Sequence, residues 1–270
     1  MDIKHPTNIH ETPGALIMHD YGIFDKFGFR WRVGRSWGLA HPDDICYADG
    51  DVVQVFDKEI RLGLEYKPAY FDVDQKKLYR WGVGYVSTIE PIKYGTLKVK
   101  FILPHGGNLW PAIWTFDCET WPPEIDIVEA WSNTKYDNSK CYRRVWKGIT
   151  IPFTNDIFPT LHLGNNPDNH YSKSYRNIFK GSCSCELDTD FGENECELIW
   201  TPDYIDIYWN GKRIVKEEDP DILKWFNEGK GQCIQLNNYV TNDFKECDFA
   251  GLKDNEESCL RITGLSYTPL

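Results

Sequence analysis

Residues 121–131 read WPPEIDIVEAW. Three carboxylates, Glu124, Asp126 and Glu129, alternate with isoleucines and a valine, and a tryptophan stands at either end. The period decides what this stretch is. On a helix, residues two and five apart lie roughly 200° and 140° around the axis, so the acids would scatter. On a strand, Glu124 and Asp126 share one face while Ile125 and Ile127 take the other. Glu129 is then out of phase by one residue. A single β-bulge near Val128 returns it to the acidic face, and bulges concentrate beside active sites. The stretch therefore reads as a bulged strand. Pro122-Pro123 leads into it and holds the preceding backbone extended.

Strand signals recur on both sides. RLGLEYKPAYFDV (61–73), YGTLKVKFILP (94–104), CELIWTPDYIDIYWNGKRIVKE (196–217) and LRITGLSYTPL (260–270) show alternation or runs of β-branched and aromatic residues. Asn210-Gly211 lies between two such runs and supplies the two positive-φ residues of a hairpin turn. Gly106-Gly107-Asn108 reads as a second turn. DPDILKWFNEG (219–229) is the best short helix, with Gly229 as its stop. Regions 132–145 and 164–180 are polar and irregular and read as long loops. No repeat or linker divides the 270 residues, so the expectation is a single all-β domain, 1–270, built as a two-sheet sandwich.

Composition narrows the function classes. Eleven Trp, 15 Tyr and 14 Phe against two Met favour strands over helices. The formal net charge of -11 argues against a nucleic-acid partner and, more weakly, against an anionic polymer. Net charge is not local charge, and a basic cleft can sit in an acidic protein. No run reaches 18 apolar residues, so no membrane span is expected. The first residues lack the basic-then-apolar order of a secretory signal, and no N-x-[ST] sequon occurs, so the sequence assigns no cellular address. Nine cysteines leave at least one thiol outside any intramolecular disulfide. Cys183, Cys185 and Cys196 do not have a zinc spacing, and buried thiols with a few disulfides are the expectation.

The acid trio has a chemical use. With the bulge, Glu129 and Glu124 lie about 13 Å apart along the strand at ~3.3 Å per residue. Side chains leaning together could bring the carboxyls to about 5–6 Å, the separation of a retaining glycosidase. Asp126 between them forces at least one pKa up, and a raised acid beside an ionised nucleophile is what that chemistry needs. Acids alternating on a strand also describe a solvated face. The tryptophans weigh against it: Trp110, Trp114, Trp121 and Trp131 crowd the stretch, and indole faces stack on sugars.

WPPEIDIVE resembles the catalytic signature of glycoside hydrolase family 16 in its bulged E-x-D-x-x-E form, typical of laminarinase-like glucanases, agarases, porphyranases and carrageenases. YGTLKVKFILPHGGNLWPAIWTF (94–116), TLHLG (160–164), ELIWTPDYIDIYWNGKRI (197–214), IQLNNYV (234–240) and the final strand are similar to family segments in the same order. The resemblance implies a concanavalin A-like β-jelly-roll with an open cleft on its concave sheet. It implies retaining hydrolysis of an internal β-glycosidic bond in a β-1,3-containing glucan or a β-galactan. Glu124 matches the nucleophile, Asp126 the assisting acid and Glu129 the general acid/base. Trp110 and Trp114 match aromatic cleft residues, and Trp121, Trp131 and His162 are expected sugar contacts, His162 being equally readable as structural. The closing strand lacks the aspartate found near a calcium in many members, so no metal or cofactor is expected. The laminarinase arginine before YGT is not evident; Tyr85 stands thereabouts. A monomer acting on polysaccharide is expected. A lectin-like binder and a transglycosylase on the same scaffold are the alternatives.

Overall fold

The computed structural model describes residues 16–17, 22–36, 38–41, 45–71, 74–104, 109–117, 120–130, 143–146, 149–152, 157–175, 193–240 and 258–270. Trp131, the turn at 106–108 and Cys183, Cys185 and Cys247 lie outside these residues. Two eight-stranded antiparallel sheets dominate and form a jelly-roll sandwich. Among the described residues no helix is long and apolar enough to cross a membrane.

The first sheet runs in the order Leu16–Ile17, Val53–Val55, Ile60–Leu62, Leu260–Pro269, Gly95–Ile102, Asn194–Trp200, Ile205–Trp209 and Lys212–Glu217. Its alternation is clean. Leu97, Val99 and Phe101 are buried, whereas Lys98 and Lys100 are exposed on the other face. Asn194–Trp200 repeats this, sending Cys196, Leu198 and Trp200 inward. The Asn210-Gly211 turn has φ of 46° and 78°, the two left-handed residues its hairpin requires.

The second sheet runs Asn169–Ser174, Thr160–Asn166, Glu124–Glu129, Leu109–Phe116, Cys233–Val240, Tyr85–Thr88, Phe29–Val33 and Ile23–Lys26. One face packs Val33, Val86, Ile113, Ile125, Leu161 and Leu236 against the first sheet. The other carries the acids. Asn238, fully buried, joins the sheets by donating from Nδ2 to the carbonyls of Leu62 (2.9 Å) and Ser258 (2.8 Å).

The helix spans Pro220–Glu228, capped by the Asp219 side chain and ended at Gly229, as its sequence indicates. Two segments depart from the loop reading. Arg143–Trp146 pairs with Ile149–Pro152, and Asn169–Ser174 pairs with Thr160–Asn166. Asn169–Ser174 borders its sheet with all six residues exposed, so it has no apolar alternation to detect. Contacts made elsewhere hold it. Lys173 Nζ lies 2.5 Å from Glu217 Oε2 of the other sheet, and the Tyr175 hydroxyl donates to the same oxygen.

Gly164 is the other condition for this hairpin. Its φ is +132°, and a Cβ there would stand 2.1 Å from the Asn169 carbonyl oxygen. Gly164→Ala should therefore lower stability by about 2 kcal/mol or more, read as a lower thermal midpoint. An unchanged midpoint would refute that account of the hairpin.

Candidate active site

The strand Glu124–Glu129 pairs with Leu109–Phe116 in a broken register. Glu124 faces Phe116, Ile125 faces Thr115 and Asp126 faces Trp114; Val128 and Glu129 then face Ile113 and Ala112. Ile127 is the extra residue. Ile127 and Val128 are both buried in the core, and Asp126 and Glu129 end on one face. This is the expected bulge, one position from Val128. Gln232 Nε2 steadies the lead-in by donating to the Pro123 carbonyl (3.2 Å). The Trp121-Pro122 and Pro122-Pro123 peptides are both cis.

Each flanking glutamate has its own indole. Trp110 Nε1 donates to Glu129 Oε1 at 3.1 Å, and Trp121 Nε1 donates to Glu124 Oε2 at 2.8 Å. Trp114 Nε1 donates instead to Asn237 Oδ1 at 2.7 Å. So three of the four tryptophans singled out by sequence gather here, and two are hydrogen-bond donors to the acids. Trp131 falls outside the described residues.

His162 sits opposite Glu124 on the next strand. Its Nε2 is 3.0 Å from Asp126 Oδ2 and 3.6 Å from Glu124 Oε1. The Asp126 contact is close but poorly aligned, because that buried oxygen accepts no hydrogen bond. His162 Nδ1 is 2.8 Å from His170 Nε2, and the His170 ring packs against Trp121 with centroids 4.5 Å apart. One of the two facing nitrogens must carry the hydrogen and the other accept it, so both rings cannot hold their full complement of protons. The His170 imidazole titrates below its usual range, lowered by desolvation and then by the neighbouring His162.

Burial sets the charges. Glu124 is pushed well above the usual carboxylate range by desolvation first and by the Asp126 charge second. His162 and the Trp121 N–H oppose this. Asp126 is pushed well up by desolvation and then by Glu129. Glu129 is pushed up to about 7, by desolvation and then by Glu124. Three acids therefore share fewer than three negative charges near neutrality. The two glutamates remain partly exposed, the Glu124 side chain keeping 13% of its surface, whereas Asp126 is buried.

Ligand atoms of Glu124, Asp126 and His162 lie within 4.8 Å of one another, which could hold a cation. The Trp121 N–H occupies Glu124 Oε2, and Glu124 Oε1 is the oxygen that faces His162.

Several residues on this face were not singled out by sequence. Tyr85 stacks parallel to Trp114 (6.3 Å between centroids, 8° between planes) and donates to Gln235 Oε1 at 2.7 Å. Arg35 lies over Tyr85 and Tyr239, 5.0 and 5.4 Å from their centroids. Gln235 and Asn237 carried a usable signal, polar residues alternating with Ile234 and Leu236 in a strand with every residue buried. His170 and Arg35 carried none, since long-range pairing alone brings them here.

No family model matches the chain, and no curated protein matches it in sequence. Solved structures match it in fold. A Bacteroides ovatus mixed-linkage glucan GH16 protein, with a bound product, is 18% identical at TM-score 0.63, covering 92% of this chain and 98% of its own. Porphyranase B from Zobellia galactanivorans is 12% identical at TM-score 0.63, covering 97% and 96%. The laminarinase catalytic domain from Thermotoga maritima is 17% identical at TM-score 0.58, covering 95% and 96%. At these identities the likeness establishes a shared jelly-roll fold across almost the whole chain.

Proposed function

We propose that the chain is a glycoside hydrolase of family 16, residues 1–270 forming one catalytic domain that cleaves internal β-glycosidic bonds of a polysaccharide with retention. The observation that carries this reading is the bulge at Ile127. It puts Asp126 and Glu129 on the face that also holds Glu124, within reach of two indole donors and His162. The names of the structural neighbours, a mixed-linkage glucan protein, a laminarinase and a porphyranase, support a β-glucan or β-galactan as substrate.

The division of labour is taken from the resemblance of the strand to the family signature. Glu124 matches the nucleophile; the Trp121 N–H and His162 favour its ionised form against the burial and the Asp126 charge that oppose it. Its carboxylate attacks the anomeric carbon as the glycosidic C–O bond breaks. Glu129, holding its proton up to about pH 7, gives that proton to the departing oxygen. Water then attacks the glycosyl ester. Glu129 takes the water's proton, and Glu124 leaves as carboxylate. Asp126 shares the charge load between them and eases the change of protonation at each step. Trp114, backed by Tyr85, offers a ring face to the sugar. No metal or cofactor enters this scheme.

Proton NMR of the first product formed tests the central claim. A β-configured product is expected before mutarotation. An α-configured first product would remove the nucleophile role from Glu124.

A further inference from the structure

Two carboxylate oxygens and an imidazole nitrogen lie together on the acid-bearing face. Asp126 Oδ2 is 3.0 Å and Glu124 Oε1 is 3.6 Å from His162 Nε2, and all three atoms fall within 4.8 Å of one another. Zinc holds such donors at about 2.0–2.2 Å in a tetrahedron, which sets neighbouring donors about 3.3–3.6 Å apart. Small side-chain rotations would supply that spacing. Calcium and magnesium fit less well, since each takes six or more oxygens and imidazole suits the transition metals.

Two further observations point to a cation. The first is Asp126 Oδ2. The residue is 3% exposed, and this oxygen has no hydrogen-bond partner although His162 Nε2 stands beside it. Buried carboxylates ordinarily pair or coordinate a metal. Among the described residues no lysine or arginine pairs with Glu124, Asp126 or Glu129. The second is the back of the imidazole. A histidine that binds metal through Nε2 carries its hydrogen on Nδ1 and needs an acceptor there. His170 Nε2 is 2.8 Å from His162 Nδ1, and the His170 ring is seated against Trp121. The outer partner of a ligating histidine is thus in place.

We propose that Glu124 Oε1, Asp126 Oδ2 and His162 Nε2 bind a zinc ion, with His170 as the outer acceptor, and that the bound ion arrests turnover. With zinc on Oε1 and the Trp121 N–H on Oε2, Glu124 has no oxygen left to attack a sugar. Glu129 is outside the ligand set and keeps the Trp110 N–H. The binding stands on geometry alone, whereas the arrest rests on the glycosidase reading.

Calorimetric titration of chelator-treated protein with zinc chloride tests the site, and the visible spectrum of cobalt(II) in its place reports the coordination. One ion per chain is expected in the wild type and in Glu129→Gln. Asp126→Asn and His162→Gln should each weaken binding by more than about 100-fold, beyond what losing an outer partner costs. His170→Phe keeps a ring against Trp121 and loses the acceptor, and should weaken binding by about 10-fold. Thermal midpoints of the metal-free variants check that each is folded. At free zinc ten times the dissociation constant, wild-type release of reducing ends should fall about 10-fold and return on adding chelator. No stoichiometric binding, or binding unchanged in both Asp126→Asn and His162→Gln, would overturn the site and leave the glycosidase reading to the activity of the chelated enzyme. Zinc bound with turnover unchanged would overturn the arrest. Zinc bound through these residues by a wild type that releases no reducing ends even when chelated would remove the glycosidase reading and the arrest together.

Discussion

Glu124→Gln and Glu129→Gln should each lose turnover by several orders of magnitude while still binding oligosaccharide. Either change is nearly isosteric, and each glutamine keeps an oxygen to accept the indole N–H that its glutamate now receives. The fold and the docking face should survive. What disappears is chemistry. Glu124→Gln has no carboxylate to form the glycosyl ester. Glu129→Gln has no transferable proton, and general acid catalysis alone is typically about 10²–10⁴-fold. The two variants should also differ by substrate. A leaving group that departs without protonation should restore the first step in Glu129→Gln and not in Glu124→Gln. Initial rates on the wild type's best polysaccharide, and on an aryl glycoside of the same sugar, check both statements. Near wild-type rates in both variants would remove the catalytic roles from these two residues, whereas glycan binding without release of reducing ends by the wild type would leave a sugar-binding protein.

The second large effect is on stability, and its sign is opposite to that of an ordinary surface carboxylate. Glu129 is raised from its usual 4.5 to about 7 on folding, so between those values the folded chain holds a proton that the unfolded chain has released. Stability therefore falls as pH rises from about 4.5 to 7 and stays reduced above. The ceiling on this contribution is about 3 kcal/mol. Glu129→Gln cannot ionise and escapes the penalty. At pH 8 the variant should unfold several degrees above wild type, at roughly 2–4 °C per kcal/mol for a chain of this length. At pH 4 the two should coincide. An equal difference at both pH values, or none at pH 8, would show that the carboxyl is not held protonated. The same group places the alkaline limb of wild-type activity near pH 7, because an ionised Glu129 has no proton to give.

The two effects belong together, since burying three acids on one strand weakens the fold where it builds the chemistry. That strand was also the part most legible in sequence. A spacing of two and then three has one economical reading in a strand, and the ladder shows the extra residue at Ile127. The Asn210-Gly211 hairpin and the helix from Pro220 were legible for the same reason, being set by local φ preferences and caps. Asn169–Ser174 was not, because it owes its conformation to a glycine that fits beneath Asn169 and to ion pairing with Glu217 across the sandwich. His170 reaches His162 only through that hairpin.

The surplus residue at Ile127 makes this strand tolerant of losing one residue. Elsewhere in a sheet, losing one residue turns every later side chain over, sending core groups to solvent and solvent groups to the core. Here the two halves already stand out of phase, joined by Ile127 and Val128 side by side in the interior. Without Ile127 the order becomes E-I-D-V-E, a plain alternation that still presents all three acids together. A strand of five residues and one of six can thus hold the same constellation, differing in how far apart the outer glutamates stand.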